Sequence, residues 1–298
     1  MKSRLALTAA ALLLSACAWR PTGVAPPGDE AVPALADPPT ERVWLLTPDH
    51  RLLQVDAARP EALLRSCTLG GLREGEQLLG IDFRVARGVL YALGRSGQLY
   101  TLDTQDCRAQ PVGPGIGWPL LGAAVGIDFN PTVDRLRVVT EAGQNLRVHP
   151  DTGTVVDADP ATPGVQTDTV LGYVPGDAQA GRAPRVVAAG YTYNTRDDKL
   201  TTNYAIDLAA GQLVMQGSRE GEAPVVSPNT GRLRSVGPLG VDGVAHADLD
   251  ISDVRNTALA VLHTDRSRLY RIDLASGRAT LLGRIGDGAP VRSLAIEP

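Results

Sequence analysis

Three aspartates stand in closely similar surroundings: Asp82 in Gly80-Ile81-Asp82-Phe83, Asp128 in Gly126-Ile127-Asp128-Phe129, and Asp250 in Leu249-Asp250-Ile251. Carboxylates gathered in this way suit a hard cation such as Ca²⁺, which takes its ligands from oxygen. An ion held there could polarise an ester carbonyl, as in a metal-assisted hydrolase, and a carboxylate pair could cleave a glycosidic bond. His246 and Asp248 lie beside Asp250 in one short run. The competing reading needs no ligand. Carboxylates buried between packed strands must accept hydrogen bonds from backbone N–H groups or Arg. Recurrence in one setting favours that repeated structural task, because catalysis ordinarily breaks repeat symmetry. No residue is therefore assigned a catalytic role.

No other chemistry comes forward. His50, His149, His246 and His263 are scattered without zinc-ligand spacing, and there is no Gly-Xaa-Ser-Xaa-Gly elbow or phosphate-binding glycine loop. Trp118, in a Gly-rich loop, could stack on a sugar or a peptide; packing beneath its own turn is the plainer role.

The elements that would carry the aspartates are short alternating strands between turns, with no helical period of useful length. Four strand candidates repeat. One unit holds LLGIDF (78–83), VLYAL (89–93), QLYTLD (98–103) and AQPVG (109–113). The next holds AVGIDF (124–129), RLRVVT (135–140), NLRVHP (145–150) and GTVVDA (153–158). A looser unit runs from 186 to 237 and another from 245 to 285. In this alignment Asp82, Asp128 and Asp250 are equivalent, with Thr192 and Ala295 in their place elsewhere. VWLLT (43–47), RLLQVD (51–56) and ALLRSC (62–67) lack a first strand, which VRSLAIEP (291–298) supplies. A ring of sheets protects its edges when the last strand completes the first blade. The expected fold is all-β: a propeller of five four-stranded blades over residues 41–298, closed by the C-terminal strand. A six-bladed ring, with segment 159–185 hiding an irregular blade, is the alternative.

Asp103, Asp151, Asp207 and Asp273 each follow a strand and precede a turn, the place for hairpin-closing hydrogen bonds. Cys67 and Cys107 fall on outer parts of neighbouring units and are a candidate disulfide. They remain free thiols if their Cα atoms lie more than about 7 Å apart.

The start of the chain carries an address. Lys2 and Arg4 precede an apolar run too short to span a bilayer. The run ends in Leu14-Ser15-Ala16-Cys17, which resembles the lipobox of bacterial lipoproteins. The resemblance implies a signal peptide over 1–16 and a Cys17 carrying acyl chains such as palmitate, a durable membrane anchor. Ala18, rather than Asp, follows the cysteine, which points to the outer membrane facing the periplasm. Residues 17–40 add a Pro-rich tether without periodicity.

The chain is 43% hydrophobic and 21% charged, with a net charge of -4. That is globular composition, and it excludes an electrostatic footprint for nucleic acid. GIDFNPTVDRLRVVTEAGQNLRVHPDTG (126–153) and SVGPLGVD (235–242) resemble the bacterial family called domain of unknown function 4394 over roughly 43–298. The resemblance implies a propeller-like exported module and brings no catalytic residues. The expectation is a monomeric, lipid-anchored cell-envelope binding module with a protein or glycan ligand. Segments 159–185 and 220–232 would be its docking loops. A metal-assisted hydrolase is the alternative, and a purely structural envelope scaffold is a third reading.

Overall fold

The computed structural model describes residues 35–298; Cys17, the leader and most of the Pro-rich tether lie outside them. Five antiparallel sheets form the blades. Blade 1 joins Ser293–Ile296 to Arg42–Leu46, Arg51–Asp56 and Arg59–Thr68. Blade 2 holds Leu78–Arg84, Val89–Gly94, Leu99–Asp103 and Arg108–Val112. Blade 3 holds Val125–Asn130, Arg135–Thr140 and Asn145–Val148. Blade 4 is Val186–Tyr191, Asn203–Asp207, Gln212–Gln216 and Arg232–Pro238. Blade 5 is His246–Ile251, Ala258–His263, Ser267–Ile272 and Ala279–Arg284. The first strand of each blade packs against the first strand of the next, and the ring closes between blades 5 and 1. Closure is antiparallel, with Leu294 opposite Leu45 and Ala295 opposite Trp44.

Each blade alternates side chains toward its two neighbours, so both faces are buried and the core is divided into interblade layers. Ile81 and Phe83 pack with Trp44 and Ala295 between blades 1 and 2, while Ile127 and Phe129 pack with Leu79 and Tyr91 between blades 2 and 3. The glycine of the repeated tetrad answers to crowding at the axis: a Cβ on Gly126 would lie 2.4 Å from the Ala188 Cα. Between blades 3 and 4 the apolar layer is thin. It holds seven buried residues, where each of the other four interfaces has at least twelve.

Two blades depart from the four-strand expectation. Residues 153–158 do not form the fourth strand of blade 3; only the bridge between Val148 and Val155 survives. The Asp157 carboxylate accepts from the N–H groups of Asp159 and Gln166, folding the chain into a local turn that competes with the ladder. Segment 159–185 conceals no sixth blade. It adds Gly172–Tyr173 to the outer edge of blade 4, parallel to Arg232 and Leu233.

Near the closing blade, Leu35 packs on the layer between blades 5 and 1, and Arg271 donates to the Asp37 carbonyl at 2.8 Å. A disulfide joins Cys67 to Cys107 across blades 1 and 2, with Cα atoms 6.3 Å apart. Asp103, Asp207 and Asp273 accept N–H bonds within their turns. Asp151 instead pairs with the buried Arg84, which also holds Asp134 at 2.5 Å.

Candidate functional site

The two aspartates of the repeated tetrad and Asp250 meet at the axis. Ligand atoms of Asp82, Asp128 and Asp250 lie within 4.8 Å of one another, and all three side chains are buried. Each reaches across to the next blade. The Asp82 carboxylate accepts from the Phe129 N–H at 2.6 Å, Asp128 from Tyr191 at 3.2 Å, and Asp250 from Ile296 at 2.6 Å. Asp82 and Asp250 also accept from the N–H of the residue that follows them. Inner-strand N–H groups that face the axis have no further strand to pair with, and these carboxylates satisfy them. Asp248 does the same for Leu294 at 3.0 Å.

This register corrects one equivalence. Tyr191 receives the bond from Asp128 that Phe129 receives from Asp82, so blade 4 places Gly190, not Thr192, at the aspartate position. A Cβ on Gly190 would press on Ile251 at 3.0 Å. The Thr192 hydroxyl accepts from the Thr202 N–H instead.

Burial and like charge push the trio's carboxyls up. Asp82 and Asp128 are raised well above the ordinary range, first by burial and then by neighbouring aspartates; burial pushes Asp250 to about 6 and Asp248 to about 8. Such a cluster holds shared protons or a cation. The pocket over it, edged by Pro131, Tyr193 and Asp253, measures about 20 Å³. That is room for one water-sized occupant and not for a substrate.

A larger cleft opens at the same end of the disc, where the apolar layer between blades 3 and 4 is thin. Its volume is about 450 Å³. Tyr191 borders both sites: its N–H goes to Asp128, and its hydroxyl accepts from Arg137 Nε at 3.1 Å. Arg137 is 2% exposed, the most deeply buried charge of the cleft wall. Its guanidinium also donates to Asn145 at 2.8 Å, to Asp168 at 2.6 Å and to Asn229 at 2.6 Å. The Asp168 carboxylate is paired a second time by Arg147 at 2.8 Å. Asn145 in turn accepts from Gln216 Nε2 at 3.0 Å.

Within this ordered wall several polar atoms are buried without a partner: Asn203 Nδ2 and Oδ1, Gln216 Oε1 and Glu220 Oε2. All three residues line the cleft. The Gln216 amide cannot turn to relieve its oxygen, because Nε2 is held by Asn145 and by the Pro228 carbonyl at 2.7 Å. The expected docking segments reach this place. Residues 159–185 supply Asp168, and residues 220–232 supply Glu220, Val225 and Asn229. Sequence reasoning passed over Arg137, Asn203 and Gln216. Arg137 lies on a strand with both faces covered, and a charge there demands a partner; that was the available signal.

The four histidines make separate local bonds. His50 Nε2 accepts from the Leu78 N–H, His149 Nδ1 from Asp151, His263 pairs with Ser267, and His246 meets the Arg292 carbonyl. Trp118 is 37% exposed and lines neither site.

Among solved structures the chain is similar to a protein of unknown function from Bacteroides caccae, at 10% identity and a TM-score of 0.40. That match covers 87% of this chain and 99% of the other. It is also similar to Myxococcus xanthus glutaminyl cyclase, at 11% identity and a TM-score of 0.41, covering 79% and 100%. A chain of a nidogen/laminin complex matches at 10% identity and a TM-score of 0.43, covering 86% and 98%. No curated protein matches the sequence. Residues 51–295 match the family model described as Domain of unknown function (DUF4394), and the chain belongs to that family.

Proposed function

We propose that this chain is a cell-envelope binding module. A five-bladed disc, anchored through a lipidated Cys17 and a Pro-rich tether, takes a small polar ligand in the cleft between blades 3 and 4. The observation that carries the reading is a cleft of about 450 Å³ whose lining residues Asn203, Gln216 and Glu220 keep buried polar atoms without partners. Buried polar groups left without partners are costly, and a site built to bind a polar molecule leaves them open until the ligand arrives. The cleft's size is that of an ordinary small-molecule pocket. Crystals of the full chain soaked with acetamide and ethylene glycol test this reading. The expected result is probe density within hydrogen-bonding distance of Asn203 and Gln216. A cleft collapsed so that those side chains pair with other protein groups would overturn it.

A second reading, a metal-assisted hydrolase around Asp82, Asp128 and Asp250, has one observation in its favour: ligand atoms within 4.8 Å of one another. Against it stand the small volume over the trio and the carboxylate oxygens already engaged by backbone N–H groups. Elemental analysis of the purified chain, set against a triple Asp→Ala variant, decides it. One Ca²⁺ per chain that disappears in the variant supports the hydrolase, and metal-free protein of full stability ends it.

A further inference from the structure

The cleft between blades 3 and 4 is cationic in a chain that is acidic overall. Arg135, Arg137, Arg147, Lys199 and Arg219 contribute to its lining against a single carboxylate, Glu220, whereas the whole chain carries a net charge of -4. Asp168, whose side chain is fully buried, pairs with both Arg137 at 2.6 Å and Arg147 at 2.8 Å. One carboxylate shared by two guanidiniums leaves a positive charge over. Glu220 joins no ion pair among the described residues, and its Oε2 has no partner. Even with Glu220 and Asp168 both counted against the five cations, an excess of three positive charges remains.

Several donors of these cations are uncommitted. Arg147 spends Nε and Nη2 on Asp168, and its Nη1 has no partner among the described residues. Arg135 gives only Nη1, to the carbonyls of Val133 and Asp134 at 3.3 and 2.9 Å. Lys199 donates its backbone N–H to Asp197, while its exposed side chain makes no bond among the described residues. Guanidinium and ammonium groups carry donors and no acceptor. Their complement is a carboxylate or a phosphate, which the guanidinium fork also matches in shape. A neutral ligand would leave the excess charge unanswered, and a cation would add to it. Walls of one sign also focus the field and draw the opposite charge in from solution. Val133, Val156, Leu200 and Val226 supply apolar lining suited to a hydrocarbon or aromatic body.

We infer that the cleft binds a small organic anion, its carboxylate or phosphate group met by Arg135, Arg147 and Lys199 and its apolar body by the aliphatic lining. This deepens the binding-module reading and rests on it. Titration calorimetry of the full chain tests it with probes of one shape: benzoate and phenyl phosphate as anions, benzamide as the neutral analogue and benzylamine as the cation. At least one anion is expected to bind about tenfold or more tighter than benzamide and benzylamine, and the stronger of the two tells carboxylate from phosphate recognition. Its affinity should fall as NaCl rises from about 50 to about 500 mM. Arg135 and Lys199 hold no carboxylate of the protein, so Arg135→Gln and Lys199→Gln combined should weaken the anion about tenfold while the fold melts normally. Glu220→Gln changes the charge the other way and should tighten it about threefold. Opposite shifts from opposite changes of charge are a result that merely structural roles would not produce. The inference is overturned if no anion binds, if benzamide or benzylamine binds as tightly, or if the variants shift anion affinity in the same direction. If soaked acetamide and ethylene glycol nevertheless occupy the cleft, the inference alone has failed; if they do not, the reading beneath it has failed as well.

Discussion

Replacing Asp128 by Asn tests whether the axial aspartates are a proton-sharing lock. The Asp250 carboxyl has its folded-state value raised from 3.8 to about 6 by burial. A raised value means that the folded chain keeps a proton the unfolded chain releases. The associated stability is fully present below about pH 4 and is lost as pH rises through 6. Two pH units at about 1.4 kcal/mol each give a loss of about 3 kcal/mol by pH 8 from Asp250 alone. Asp248, raised to about 8, extends the decline to the alkaline side, and Asp82 and Asp128 act in the same direction. For a domain of this size that corresponds to a melting temperature roughly 6–12 °C lower at pH 8 than at pH 4. His246 opposes the trend. Burial holds it below 6.5, so its contribution grows as pH rises toward that value. Comparison with a variant cancels it. In Asp128→Asn the new amide keeps an Oδ1 acceptor for the Tyr191 N–H and offers its own N–H to the neighbouring carboxylates, while one titrating group is removed. Thermal melts in EDTA from pH 5 to 8 should show the variant's curve flatter by about 1.4 kcal/mol per pH unit over the window of the missing carboxyl. Its advantage over the wild type should be greatest at pH 8. Parallel curves, or a wild type equally stable at pH 5 and pH 8 without metal, would refute the reasoning. Recovery of the wild type at pH 8 by Ca²⁺, absent in Asp128→Asn, would instead mark the trio as a cation site.

Three further outcomes are expected. Arg137→Met leaves Asp168 with only Arg147 in a buried setting and should cost about 3–5 kcal/mol in urea unfolding, whereas substituting the exposed Arg255 should cost almost nothing. Asn203→Leu removes an amide whose two polar atoms lack partners, so the ligand-free protein should melt at the same temperature or higher. Reducing the Cys67–Cys107 disulfide, which spans 40 residues, should lower stability by about 4 kcal/mol, measured by chemical unfolding with and without dithiothreitol.

The architecture was legible because it is written in short-range pattern. Period-two alternation marked the inner strands, and the mismatch between chain ends foretold that the C-terminal strand would complete the first blade, as it does with Leu294 opposite Leu45. The repeated tetrad located the aspartates, since identical local sequence in a radial repeat brings identical positions to one axis. Blade 3 broke the pattern where Asp157 bonds its own neighbourhood, a competition that alternation does not register. Thr192 was misplaced because the aromatic alternation around Tyr191 continues past the residue that faces the axis. The cleft was the least legible feature. Arg137 sits in RLRVVT, which reads like any half-exposed strand; its burial becomes evident only with Asp168, 31 residues further on, and Asn229 from another blade. That Asn203 and Gln216 lack partners depends on what every neighbouring side chain does, and no local pattern encodes that.

The cleft and the thinness of the layer beneath it have one cause. Where blades 3 and 4 meet, Arg137 occupies volume that aliphatic side chains fill at the other interfaces, and its guanidinium ties Asn145 of blade 3 to Tyr191 and Asn229 of blade 4. A polar network holds its geometry only while every member is satisfied, so this interface gives up hydrophobic stabilisation for fixed direction. Fixed direction is what a ligand-binding wall needs: the Gln216 amide beside the cleft is held in one orientation because its nitrogen is already bonded to Asn145 and to the Pro228 carbonyl. Tyr191 carries the same rigidity inward, since its hydroxyl is fixed by Arg137 and its N–H by Asp128. The protonation of the axial aspartates and the shape of the cleft therefore share a strand. Ligand affinity in Asp128→Asn should consequently differ from wild type by less at pH 5, where the trio keeps its protons, than at pH 8.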